Sequence, residues 1–373
     1  MKKILFFMQE LTGGGAERTV INIMNYLNKE KFKIIFVLGN KDLNDYSMFI
    51  DNDINIKYLN TSRLRYSFMK LRKAIITENP DLIFTTLNPN NILVSITNMS
   101  LKNRIPLIIR EANNRTQSKK ATRLNRFITK YCYNYLSNKI IALSNGVKDD
   151  LVRNFYVDDK KIQVIYNPID LDTINKLKNE EIDDLSIECD EKIIVAVGRL
   201  VEQKDYPTLI KAFKIVSEHL KAKLLILGKG PLENELKTLV HALGIDEKII
   251  FKGFKNNPYK YMKKADLFVL TSKWEGFGHV IVEAMACGTP VISTDCNSGP
   301  KEIIGENQYG VLVKVSDYEQ LAENIINLFK SDSQRTQYIL KGYERVNNFK
   351  ASDIILKYEQ AISETIEKVK IYK

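Results

Sequence analysis

The chain has 373 residues, 44% of them hydrophobic, and a formal net charge of +11 at pH 7. That length exceeds one ordinary core and fits about two domains, and no apolar run approaches the roughly 18 residues of a membrane-spanning helix. The opening MKKILFFMQE turns polar too soon for a secretory signal, and Cys132, Cys189, Cys287 and Cys296 share no CxxC or Cys/His spacing, so a cytoplasmic protein without a disulfide framework or zinc site is expected.

In chain order, KILFFM is the first predicted strand, and it runs through QELTGGGAER into a helix. Gly13, Gly14 and Gly15 would let the backbone approach a ligand closely, ahead of a first turn that holds Glu17. The run is neither GxGxxG nor GxxxxGK(S/T), so a plain loop stays open as the alternative. Further strands are predicted at FKIIFVL, DLIFTT, PLIIR and KIIAL, with helices between them, one near Tyr66 to Thr77. Continuous Ile/Val/Phe runs alternating with helical patterns indicate a doubly wound parallel sheet. Asp51-Asn52-Asp53 forms an Asp-x-Asp string, but its place before a strand reads as a solvated turn rather than a metal site. Tyr166-Asn167-Pro168 closes this half and would suit a rigid hinge.

The positive charge is concentrated here. Residues 102–139 hold ten Lys and Arg against one acid, Glu111, and residues 57–73 add six with none, interleaved with Tyr58, Tyr66 and Phe68. Within 119–136 a helix would place Leu124, Phe127, Ile128, Tyr131 and Tyr135 on one face and Lys119, Lys120, Arg123, Arg126 and Lys130 largely off it. Such a helix can lie on an anionic membrane or can pack its apolar face on the sheet, and the charge favours the membrane.

The expected organisation is a Rossmann-like domain at 1–168, a polar linker at 169–190, a second Rossmann-like domain at 191–350, and a C-terminal helix at 351–373 free to cross back to the first domain. The second series of strands is KIIVAV, AKLLIL, KIIF, ADLFVL, PVIST and GVLV. Ligands of open α/β sheets bind beyond the carboxyl ends of the strands, which places the site in a cleft between the two domains.

Chemistry gathers at those strand ends. SKWEGFGHVIVEAMACGTP sets Glu275 and Glu283 eight residues apart around Gly276, Phe277 and Gly278. A helix start attracts phosphate, while a carboxylate accepts hydrogen bonds from neighbouring hydroxyls of a sugar or ribose. Gly198-Arg199 with Lys204 supplies two cations suited to a diphosphate. Gly228, Gly230 and Pro231 form a turn that could admit a base or ribose, and Ser298, Gly299, Pro300 and Glu302 form another turn. His219 and His241 read as surface residues, whereas His279 would either assist the donor site or cap its helix.

Together, GGGAE, GRLVEQK, GKGP, the Glu275/Glu283 pair and SGPKE resemble the retaining family 4 glycosyltransferases with the GT-B fold, over nearly the whole chain. The resemblance implies that Arg199 and Lys204 hold the donor diphosphate, Glu283 the ribose, and Glu275 with the amides of Gly276 and Phe277 the sugar. Gly14, Gly15, Gly198 and Gly230 would line the donor, and Glu111, Asn113 and Asn114 the acceptor. It also implies catalysis without metal or other cofactor, because Arg, Lys and helix N-termini neutralise the leaving diphosphate. Many relatives carry a histidine after PLIIR where this chain has Ala112, which puts any histidine-assisted step in doubt.

The expected reaction is transfer of a hexose or N-acetylhexosamine from a UDP-sugar to a polyprenyl diphosphate-linked glycan, on the inner face of the cell membrane. UDP rests on family frequency alone. A same-fold UDP-sugar epimerase would share the donor motifs without needing the basic half. A nucleic-acid-binding protein would explain the charge but not those motifs, so no nucleic-acid partner is expected.

Overall fold

The protein is described by a computed structural model covering residues 1–11, 14–42, 47–116, 122–185, 188 and 190–371. Gly13, Lys119, Lys120 and Cys189, each weighed above, lie outside the described residues. The chain forms two compact units, Met1–Pro168 with Ala351–Lys373, and Ile169–Lys350.

Among the described residues the first unit holds a seven-stranded parallel sheet, β1 Lys2–Met8, β2 Phe32–Leu38, β3 Asn55–Tyr58, β4 Leu82–Thr86, β5 Leu107–Glu111, β6 Lys139–Ala142 and β7 Ile162–Val164, in the order β3-β2-β1-β4-β5-β6-β7. The central β1 (KKILFFM) and β4 (LIFTT) are buried along almost their whole length because helices cover both faces. Those helices are α1 Gly15–Tyr26, α2 Ser67–Glu78, α3 Asn88–Met99, α4 Arg123–Tyr131, which continues as a π-helical turn over Cys132–Leu136, and α5 Asn145–Phe155.

The second unit begins with α6 Leu171–Leu177, inside the stretch read as linker. Asp170 caps it by accepting from the Thr173 amide at 2.9 Å, and only Ile174 of its residues is buried, so its sequence looks polar. Six parallel strands follow: β8 Lys192–Val197, β9 Ala222–Leu227, β10 Ile249–Gly253, β11 Leu267–Leu270, β12 Val291–Thr294 and β13 Val311–Val313, in the order β10-β9-β8-β11-β12-β13. Its other helices are α7 Tyr206–His219, α8 Glu233–Ala242, α9 Tyr259–Lys264, α10 His279–Ala286, α11 Pro300–Ile304, α12 Tyr318–Lys330 and α13 Asp332–Val346.

The chain then returns to the first unit as α14 Ala351–Ile371, whose Ile354, Tyr358 and Ile362 join the core formed by β1, β2 and α1. Beneath Tyr358 the fully buried Arg110 donates to its hydroxyl (3.2 Å), to Thr86 Oγ1 (3.1 Å) and to Asn167 Oδ1 (2.5 Å). One guanidinium therefore ties the sheet both to α14 and to the segment just before Pro168. Among the described residues no helix is long and apolar enough to cross a membrane.

Candidate active site

In the second unit the sequence-predicted donor residues collect beyond the carboxyl ends of β8, β9, β11 and β12, which are neighbours in the sheet. β8 leads through Gly198 and Arg199 to a short turn ending at Lys204, after which Asp205 (φ +47°) starts α7. That left-handed aspartate is held because its Oδ2 accepts from Thr208 Oγ1 at 2.9 Å and Ser316 Oγ at 2.8 Å. The turn is also stitched to the loop after β11. Gln203 Nε2 donates to the Trp274 carbonyl, the Lys273 amide to the Gln203 carbonyl, and Thr271 Oγ1 to the Lys204 carbonyl, all at 2.8 Å.

This frame presents Lys204 to Glu275. Lys204 Nζ lies 2.5 Å from Glu275 Oε1, and Ser272 Oγ donates to the same oxygen at 2.7 Å. Oε2 has no hydrogen-bond partner among the described residues, so it can accept from a ligand hydroxyl. Ser298, from the loop after β12, donates to the Glu275 carbonyl at 2.5 Å and fixes the backbone as well. The buried Cys296 thiol nearby is pushed up to about 12, by burial first and by Glu275 second, with Lys204 opposing. It is therefore an inert neutral group. A buried Lys–Glu pair thus lies near an exposed Arg199 that has no ion-pair partner among the described residues.

Helix α10 starts immediately after Gly278, whose φ of +91° only glycine adopts readily. Glu275, Gly276 and Phe277 thus precede its N-terminus, and Glu283 sits on its second turn. Tyr259 on α9 donates its hydroxyl to Glu283 Oε1 at 3.1 Å, and both side chains are buried. His279 is the first helical residue, with Nε2 3.8 Å from Glu283 Oε1 and its ring edge-on to Phe277. Phe277 in turn packs edge-on against Phe349.

The glycines of the GKGP turn have a clear structural task. A Cβ on Gly228 (φ +149°) would stand 1.9 Å from the Gly198 carbonyl oxygen, and one on Gly230 would stand 2.3 Å from that of Leu200. The two strand-end loops press together at backbone distance, joined by the bond from the Leu200 amide to the Lys229 carbonyl at 3.0 Å. The space beside Gly230 is thus taken by Leu200 backbone, whereas the sequence left it open for a base or ribose.

In the first unit, Gly14 caps α1 and donates its amide to the Glu17 carboxylate, which a Cβ on Gly14 would strike. Gly15 is exposed, with nothing within 4 Å of its Cβ position. Glu111 ends β5 fully buried, with Oε2 accepting from Tyr133 OH at 2.7 Å. Burial raises its pKa, against the opposing charge of Arg115 and the Tyr133 bond. Ala112 and Asn114 are buried too, and only Asn113 of this group is exposed. Asp51 and Asp53 both face Lys29 Nζ, at 3.7 and 3.5 Å.

Sequence reasoning placed Ser298 only in a turn, and it missed Ser272 and Tyr259. The Ser272-x-x-Glu275 spacing was a usable local signal, being that of a side-chain cap. Tyr259 lies 24 residues from Glu283, and nothing local announces it.

Comparison with known proteins places these features. A model described as glycosyl transferases group 1 matches residues 178–345, and one described as glycosyltransferase family 4 matches residues 13–173. Campylobacter jejuni N-acetylgalactosamine-N,N'-diacetylbacillosaminyl-diphospho-undecaprenol 4-alpha-N-acetylgalactosaminyltransferase is 32% identical over 94% of this chain and 96% of its own length. A second C. jejuni protein, GalNAc-alpha-(1->4)-GalNAc-alpha-(1->3)-diNAcBac-PP-undecaprenol alpha-1,4-N-acetyl-D-galactosaminyltransferase, is 27% identical over 98% and 99%. In fold, the chain resembles Anabaena HepE in complex with UDP and glucose (TM-score 0.80, 22% identity, 98% and 100% covered) and Thermosynechococcus elongatus sucrose-phosphate synthase (TM-score 0.83, 18% identity, 99% and 100% covered). Two doubly wound parallel units with this match define a glycosyltransferase of the GT-B fold. The chain belongs to glycosyltransferase family 4.

Proposed function

We propose that the protein is a retaining transferase that moves a hexose or N-acetylhexosamine from a UDP-sugar to a glycan carried on a polyprenyl diphosphate. The observation that carries this reading is the Lys204–Glu275 pair at 2.5 Å, set beside exposed Arg199 and ahead of the helix that holds Glu283. In this reading Arg199 and Lys204 neutralise the departing diphosphate, Glu275 and the amides of Gly276 and Phe277 hold the sugar, and buried Glu283 takes the ribose hydroxyls. Gly198 and Gly230 serve by letting the surrounding loops close up, and exposed Gly15 beside Gly14 leaves room for the diphosphate. No metal is required, since fixed cations and a helix N-terminus supply the charge. Retention follows if the leaving phosphate accepts the acceptor's proton on the same face, with no dedicated base.

The lipid-linked acceptor is supported by the two Campylobacter relatives, whose names carry undecaprenol-linked substrates. UDP is supported by the fold likeness to HepE with UDP bound. On the first unit, exposed Asn113 is the best placed of the acceptor candidates, and buried Glu111 and Asn114 act by shaping its loop. The enzyme would work peripherally on the inner face of the cell membrane, approached through its basic helix around 123–136.

The test is calorimetric titration of UDP, GDP and ADP without divalent metal, with Lys204→Ala and Glu283→Ala alongside. UDP binding lost in both variants is expected, followed by product NMR showing the donor's anomeric configuration kept. Binding of none of the three, with or without added metal, refutes the donor site.

A further inference from the structure

Residues 271–278, between β11 and α10, form neither helix nor strand, so tertiary contacts set where the amides of Gly276 and Phe277 point. The loop after β12 holds their backbone from one side. Ser298 Oγ reaches the Glu275 carbonyl, and Gly299, with a φ of +82°, lies so close that a Cβ there would stand 2.2 Å from the Phe277 carbonyl oxygen. The Phe277 side chain is held separately. It is buried, and the Phe349 ring meets it edge-on, with centroids 5.3 Å apart and planes at 72°, an arrangement that aromatic pairs favour.

Phe349 is itself locked in place. It ends a short 3-10 turn, Asn347–Phe349, and is buried. The half-buried Arg345 guanidinium lies 5.0 Å from the centre of its ring and 5.1 Å from that of Tyr309, near enough for cation–π attraction to both. The same guanidinium donates Nε to the Ile303 carbonyl at 2.9 Å and Nη2 to the Glu302 carbonyl. Those carbonyls belong to α11, which starts at the residue after Gly299. Arg345 therefore braces the donor loop twice, through the ring on Phe277 and through the helix behind Gly299. The Phe349 carbonyl accepts from the Ile169 amide at 2.8 Å, and Ile169 forms a parallel bridge with Lys350. Ile169 and Lys350 are the first and last residues of the second unit, so this ring stands where the chain enters and leaves it.

We propose that Phe349 is a positioning residue of the donor site, one that aims the Gly276 and Phe277 amides at the sugar and leaves nucleotide binding to other residues. The inference rests on the donor reading given above. Glu283 is carried by α10, where Tyr259 holds it, and Lys204 by the turn after β8, where Thr271 holds its carbonyl. The two amides lack such a frame and depend on the ring contact. Truncating Phe349 leaves a void into which Phe277 can relax, and donors displaced in this way no longer meet the sugar at hydrogen-bond distance.

Wild type, Phe349→Ala and Phe349→Leu are compared as full chains in two measurements. Amide hydrogen exchange of residues 271–281 is followed without ligand, and UDP, UDP-glucose, UDP-galactose, UDP-N-acetylglucosamine and UDP-N-acetylgalactosamine are titrated calorimetrically. In Phe349→Ala the exchange of that segment should be about tenfold faster while β8 and β9 keep their protection. Affinity for the UDP-sugar that wild type prefers should fall about tenfold, with UDP itself changed less than about twofold. Phe349→Leu refills most of the space and should recover most of both effects. Equal losses for UDP and UDP-sugar would give Phe349 a purely structural role and overturn the proposal, as would unchanged exchange over 271–281 in Phe349→Ala. Wild type that binds none of the five removes the donor reading and this proposal together, a failure told apart by its appearing without any substitution.

Discussion

Lys204 and Glu275 illustrate what breaking a buried charged pair costs. Side chains only 15% and 10% exposed have given up most of their water, so removing one partner strands the other charge. Lys204→Ala should therefore cost roughly 3 kcal/mol in urea unfolding, and Lys204→Met with Glu275→Gln should recover most of that without recovering transfer. If the double variant is as unstable as the single one, the pair is not what stabilises this loop. Tyr259 is a positioning residue by the same logic, because its hydroxyl orients a buried carboxylate rather than touching ligand. Tyr259→Phe should weaken UDP binding by about tenfold, the worth of one hydrogen bond to a charged group, and lower stability in urea by about 1 kcal/mol. Unaltered affinity would mean that Glu283 needs no such support or does not meet the nucleotide.

At the scale of elements, the strand-end glycines divide into two kinds. Gly228 has a left-handed backbone and a filled Cβ position, so Gly228→Ala combines strain with a clash against the Gly198 carbonyl and should destabilise the second unit by about 2 kcal/mol or more. Gly15 opens α1 with free space around it, so Gly15→Ala should leave stability equal or raise it by about 0.5 kcal/mol. Urea unfolding of both variants checks the contrast. A Gly15→Ala protein that is stable but poor in transfer would support close approach of the donor. The strands themselves were readable wherever they were buried on both faces: KILFFM, KIIVAV and AKLLIL needed only their apolar runs. β3 was placed only as the strand after Asp53, and β7 escaped because IQV is short and partly exposed, leaving no hydrophobic run to mark it. Helix α6 escaped because its side chains face water.

The pH dependence of the whole fold should carry the mark of Glu111. Burial raises its pKa above the ordinary 4.5, so between those two values the folded state holds a proton that the unfolded state has lost. Stability contributed by this group is then full below 4.5 and falls as pH rises through the folded value. Glu111→Gln keeps an acceptor for Tyr133 and should flatten that decline, as thermal unfolding across pH 4 to 8 would reveal; an unchanged slope would place the titration elsewhere. Composition, strand runs and the five strand-end motifs were enough, from sequence alone, for two parallel α/β sheets and the family, because each is a local pattern repeated at a strand-to-helix turn. Only tertiary structure decided what those residues touch. It paired Lys204 with Glu275 across 71 residues, brought Tyr259 to Glu283, used Gly228 and Gly230 for loop packing, and turned Leu124, Phe127 and Tyr131 outward. The physical reason is that helical periodicity identifies an apolar stripe, whereas only the packing of neighbouring elements decides whether that stripe is covered.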